Sequence, residues 1–109
     1  MNDSNALVQR DTLLTLLFPA DIEEVVIDLL LEHPEWSGGF TCALVEGHGA
    51  AMQPRDPAER VRGRSRRFQV QIALNQDQAS ALIAHFRMEL ANPDVAYWTV
   101  PLTRFGRLS

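Results

Sequence analysis

Leu13, Leu14, Leu16 and Leu17, set among threonines, are apolar in both registers, which predicts a strand over Asp11 to Phe18 covered on both sides and ended by Pro19. From Ala20 the period changes. Ile22, Val25, Val26, Leu29, Leu30 and His33 recur at i, i+3, i+4, i+7 and i+8, predicting a helix with one buried stripe and Glu23, Asp28 and Glu32 opposite, closed by Pro34. A second strand is expected over Phe40 to Glu46, with Phe40, Cys42 and Leu44 on one face and Thr41, Ala43 and Val45 on the other. Arg67 to Leu74 alternates most cleanly, with Phe68, Val70, Ile72 and Leu74 directed inward. Asn75 with Gln78 forms a capping pair for a helix carrying Ala79, Leu82, Ile83, Phe86 and Leu90, stopped at Asn92-Pro93. Val95 to Thr103 is a β-branched and aromatic strand whose Pro101 restricts it to an edge or a bulge.

The order is βαββαβ. Right-handed crossovers lay both helices on one face of a four-stranded antiparallel sheet, an α+β, ferredoxin-like arrangement. The other sheet face is then uncovered, yet the first two strands are apolar in both registers, so burial against further copies of the chain is expected. A single domain over residues 1–109 accounts for the length. Its anomaly is a long loop at about 49–65, opened by Gly47-His48-Gly49, without hydrophobic periodicity. Connections above roughly 12–15 residues are uncommon in compact domains.

Charge sharpens that picture. The net charge is −4, but residues 1–35 carry eight acids against Arg10 alone, whereas Arg55, Arg60, Arg62, Arg64, Arg66 and Arg67 face only Asp56 and Glu59. All ten basic residues are Arg. This cluster reads first as a solvated loop, and next as a docking surface for an acidic partner or anionic ligand through Arg55, Arg60, Arg62 and Arg64. Nucleic acid ranks third and is not expected as a partner, because no aromatic residue is interleaved for base stacking and the remaining chain is acidic. The longest apolar run, Val25 to Leu31, is broken by Asp28, so no membrane insertion is expected. The first residues lack the charge and hydrophobic core of a signal peptide, which points to a cytoplasmic location. The single Cys42 fits a reducing compartment and is expected in the core.

These residues resemble a known family. The Gly47-His48-Gly49 turn before the long loop, Phe68-Gln69-Val70-Gln71-Ile72 after it, and Trp98-Thr99-Val100-Pro101-Leu102 with its internal proline are similar to the PII signal-transduction proteins and their PII-like relatives. The resemblance implies a homotrimer that regulates a partner, often a membrane transporter, through its loops and binds effectors between subunits. It implies an effector site at Gly47, His48 and Gly49 with Arg107, which could match the first of the arginines that follow the family's last strand. The chain departs from the nucleotide-binding pattern: Ala50-Ala51 replace polar residues, and Ala91-Asn92-Pro93-Asp94 has neither glycine nor lysine. A triphosphate would lack most of its charge compensation there, so the adenine-nucleotide expectation is weak and the cofactor unknown. The resemblance extends to a PII-like group found beside heavy-metal efflux systems, implying an efflux pump as partner or a transition metal at His48. Cys42 and His48 lie about 20 Å apart along a strand, too far to share an ion within one chain.

His33 reads as a helix-end charge or packing residue, and His85 as an exposed residue without function. No catalytic arrangement of nucleophile, base or paired carboxylates is visible, so an enzyme is not expected. The alternative to a signalling protein is a metal-binding or scaffolding protein.

Overall fold

The structure is a computed structural model that describes residues 9–37, 39–49 and 65–108. Four strands form one antiparallel sheet: β1 (Thr12–Pro19), β2 (Thr41–Gly47), β3 (Ser65–Leu74) and β4 (Ala96–Pro101), in the spatial order β2-β3-β1-β4. Among the described residues the strands are accompanied by the helices α1 (Glu23–Leu31), α2 (Pro34–Ser37) and α3 (Gln76–Glu89), with a 3-10 turn at Ala20–Ile22 leading into α1. The four strands and the two main helices stand where the hydrophobic pattern predicts them, and the ferredoxin-like topology follows.

β1 and β3 occupy the middle of the sheet because theirs are the sequences that can be covered on both sides. Leu14 stands opposite Ile72, Leu16 opposite Val70 and Phe18 opposite Phe68. These side chains meet Val26, Leu29 and Leu30 of α1 and Ala79, Leu82 and Phe86 of α3 in one continuous core. Each large member contributes about 1.5–3 kcal/mol through removal from water. The Phe18 and Phe68 rings lie 5.8 Å apart in a tilted arrangement.

α3 begins with the predicted reciprocal cap. Gln78 N–H donates to Asn75 Oδ1 at 2.8 Å, and Asn75 N–H donates to Gln78 Oε1 at 3.1 Å. The helix ends in a left-handed residue, Ala91 at φ 43, whose N–H reaches back to the Phe86 carbonyl at 3.2 Å. Pro101 stands at the end of β4, an edge strand, where a missing N–H is tolerated.

Four expectations need correction. The first helix does not run to Pro34: α1 ends at Leu31, and Pro34 instead opens α2, since a ring that cannot donate suits a first helical position. Val25 is off the buried stripe and 48% exposed, because α1 buries Val26, Leu29 and Leu30 in the core and packs Ile27 against its side. Cys42 is exposed in the chain, because β2 is an edge strand and its mid-strand positions have little above them. His85 is half-buried and touches His33, as described below.

The sheet's second face carries Leu13, Thr15 and Leu17 of β1 with Gln69, Gln71 and Ala73 of β3 and Ala96, Trp98 and Val100 of β4, by strand alternation. Thr15 and Leu17 are shielded there by neighbouring side chains, with Gln71 Nε2 3.5 Å from Thr15 Oγ1, whereas Trp98 and Val100 remain over 40% exposed.

Candidate functional site

Two clusters carry the chemistry of the described residues. The first is the base of the long connection between β2 and β3. Gly47, the last residue of β2, is buried and stands opposite Ser65, the first of β3. Ser65 is fully buried, and its Oγ accepts from Nε of Arg67, a residue only 4% exposed, at 2.8 Å, which fastens the strand at its start. Gly49 adopts φ +103 with open space around its Cα. Glycine is therefore required there by backbone conformation, not by crowding. His48, between the two glycines, is exposed and reaches Glu46 Oε2 at 3.5 Å through Nε2. Arg107 is exposed. Arg55, Arg60, Arg62 and Arg64, together with residues 50–64 as a whole, lie outside the described residues.

Gly47 and Arg107 are not neighbours within one chain. β2 and β4 are opposite edges of the sheet, about 14 Å apart across three strand spacings. They also lie at opposite ends of β1: Gly47 is at the Pro19 end, and Pro101 pairs with Thr12 at the other. The tail stays at that far end, where Arg10 Cζ lies 4.9 Å from the Phe105 ring centroid. The glycine turn and Arg107 thus occupy diagonal corners of the sheet, and a ligand could touch both only if they came from different copies of the chain.

The second cluster lies in the helix layer. His33, two residues beyond α1, places Nε2 2.9 Å from Nε2 of His85 on α3, with the rings edge to face at 4.1 Å between centroids. His33 Nδ1 lies 3.2 Å from Glu35 Oε2. The Glu35 carboxyl is held below the usual glutamate range, first by a backbone hydrogen bond and then by His33. Ligand atoms of Glu32, His33 and His85 all fall within 4.8 Å of one another. Sequence reasoning passed over this group because each histidine alone has an ordinary reading. Only the packing of α3 beside the end of α1 joins positions 52 residues apart.

Two further features hold less chemistry. Burial pushes the Cys42 thiol up, with Glu23 adding in the same direction, so this cysteine is a poor nucleophile despite its exposure. A cavity of about 310 Å³ opens between the end of α3 and β4, walled by Leu16, Ile83, Phe86, Leu90 and Tyr97. Its rim is tied by Arg87 Nη2 donating to Tyr97 Oη at 2.8 Å. No described helix is long and apolar enough to cross a membrane.

Solved structures share this architecture. A protein of the DUF3240 family from Shewanella baltica OS155 superposes with a TM-score of 0.71 at 24% identity, over 94% of this chain and 100% of that one. CPII, a nitrogen regulatory PII-like protein from Thiomonas intermedia K12 bound to ADP, AMP and bicarbonate, gives 0.65 at 15% identity, over 89% of this chain and 93% of its own. A PII-like signaling protein from Thermus thermophilus gives 0.60 at 12% identity, over 84% and 85% respectively. No curated protein matches the sequence. A sheet in the order β2-β3-β1-β4 under two helices, with a long connection leaving a glycine turn, is thus the PII-like fold, and the match of residues 8–109 to the family model places the chain in DUF3240, a family described as proteins of unknown function.

Proposed function

We propose that the protein is a trimeric PII-like regulator that binds a small effector or metal ion at Gly47, His48 and Gly49 and engages a partner protein through the arginines of the long loop. One observation carries this reading: the residues expected to hold the effector stand at diagonal corners of one sheet, so Gly47 of one copy and Arg107 of another are the groups that could meet. A site built that way exists only in an assembly. The exposed Trp98 and Val100 on the helix-free face provide apolar surface for forming one.

The PII-like fold supports the reading, as does the nucleotide and bicarbonate held by CPII from Thiomonas intermedia K12. In this chain the glycine turn offers backbone donors and Arg107 a guanidinium fork, which suits a small anion. Arg55, Arg60, Arg62 and Arg64 would meet carboxylates on the partner, and a transporter or efflux pump is the class we favour. Effector binding at the loop's base would shift the loop's population of partner-competent conformations.

Analytical ultracentrifugation tests the assembly: a trimer at micromolar concentration is expected, and a monomer overturns the proposal. Calorimetric titration with ADP, AMP and bicarbonate tests the effector. Binding that is lost in Gly49→Ala and in Arg107→Ala is expected, and binding indifferent to both removes the site.

A further inference from the structure

The geometry points to a divalent metal site in the helix layer, formed by Glu32, His33 and His85 and taking a late first-row cation such as Zn²⁺. This site is separate from the loop base and does not depend on the regulatory reading.

Four observations converge. The two Nε2 atoms lie 2.9 Å apart, close enough for both to reach one ion. With Zn–N distances of about 2.0–2.1 Å they would subtend roughly 90° at an ion there, and parting by a few tenths of an ångström reaches tetrahedral geometry. The ring orientation of His33 is fixed from behind: Nδ1–H donates to Glu35 Oε2 at 3.2 Å, which places the proton on Nδ1 and leaves Nε2 as a lone pair. This carboxylate–imidazole arrangement is what metal-bound histidines use to hold tautomer and direction. The third donor, Glu32, completes a two-histidine, one-carboxylate set on an exposed side chain, leaving further coordination positions to water.

The fourth observation is electrostatic. Glu32 is the C-terminal cap of α1, whose last turn carries no basic residue. Residues 11–54 contain no Lys or Arg, and α1 with its flanks carries Glu23, Glu24, Asp28, Glu32 and Glu35. A cation at this point meets both that charge and the negative end of the helix dipole. Without metal the histidines share a hydrogen bond, His85 Nε2–H donating to His33 Nε2. Metal binding moves the His85 proton from Nε2 to Nδ1, with no net charge change on either ring. The site belongs to the helix layer, away from the sheet face proposed for assembly, so it stays accessible in a trimer.

Calorimetric titration of the chelator-stripped full chain with Zn²⁺ decides the matter, with Co²⁺ as a spectroscopic probe. One Zn²⁺ per chain is expected, with a Zn²⁺-dependent rise in melting temperature. His33→Gln and His85→Gln should each weaken binding by roughly 100-fold or more, and Glu35→Gln by about 10–100-fold, the usual effect of removing an outer-shell partner. His48→Ala should leave the affinity unchanged, which separates this site from any at the glycine turn. Zinc-edge absorption spectra of the unmutated protein give a readout independent of variant folding, and should show imidazole nitrogens on the ion. Equal affinity in the His33→Gln/His85→Gln double variant, spectra without imidazole ligation, or no Zn²⁺ binding overturns the proposal and leaves the histidines as a packing pair.

Discussion

Gly47 faces Ser65 across the last rung of the β2–β3 ladder, so the long connection leaves and re-enters the body at adjacent points. Ser65 has no exposed surface, and its Oγ receives the Nε–H of Arg67 at 2.8 Å. The loop base is thereby a fixed frame, whatever its arginines engage.

Ser65→Ala tests that frame. The substitution removes one acceptor from a buried cation, and a loss of about 1–3 kcal/mol is expected because a hydrogen bond to a charged group is lost. Urea denaturation reads it as a lower midpoint at an unchanged slope. An unchanged midpoint would show that Arg67 does not depend on Ser65.

The α3 cap gives a second test. Asn75→Ala removes an acceptor from the Gln78 N–H and disturbs the reciprocal bond, and about 0.5–2 kcal/mol of destabilisation is expected. Because the two bonds form one unit, Asn75→Ala and Gln78→Ala should together cost less than the sum of the single changes. Full additivity in denaturation would contradict the capping box.

Much of this was legible in the residue pattern because period decides so much. Phe68, Val70, Ile72 and Leu74 alternate without interruption and form the inner face of β3, and Asn75 with Gln78 marks the start of α3. What the pattern could not give was tertiary. Pro34 reads as a stop in one dimension and serves as the start of α2 in three. Cys42 alternates like a core residue, but edge-strand position leaves it exposed, and only the sheet order reveals which strands are edges. The His33–His85 contact arises from helix packing and has no signature along the chain.

At the other end of α3, Ala91 occupies the left-handed region at φ 43, where a Cβ is unfavourable. Ala91→Gly should stabilise the protein by about 1 kcal/mol, since relief of the left-handed strain exceeds the greater freedom glycine brings to the unfolded chain. A higher melting temperature checks this, and a lower one would mean that the methyl group's contacts beside the Phe86–Leu90 cavity outweigh the backbone strain.

Glu35 offers a pH test of the histidine cluster. Its carboxyl is depressed by a backbone hydrogen bond and, second, by His33. A group depressed on folding adds stability that is full above its unfolded value and disappears as pH falls through the folded one, so this contribution fades on acidification below the ordinary glutamate range. In metal-free His33→Gln the Glu35 titration, followed by carboxyl NMR, should move upward yet remain depressed, because the larger backbone cause is retained. No movement at all would mean that the 3.2 Å contact has no electrostatic weight.

Trp98 tests whether the helix-free face is an interface. It stands opposite Thr15 on edge strand β4, still 44% exposed in the single chain, beside Val100 at 43%. Covering such side chains in an assembly contributes about 25 cal/mol per Å² removed from water, and a carboxylate placed among them would be desolvated without a partner. Trp98→Glu should therefore prevent the proposed trimer from forming while leaving the monomer folded, because the residue lies outside the core formed by Leu14, Val70 and Leu82. Sedimentation velocity with circular dichroism separates the outcomes: a folded monomer is expected, and an intact trimer would move the interface elsewhere. If the assembly is lost, effector binding should be lost with it, since Gly47 and Arg107 of a single chain lie at opposite corners of the sheet.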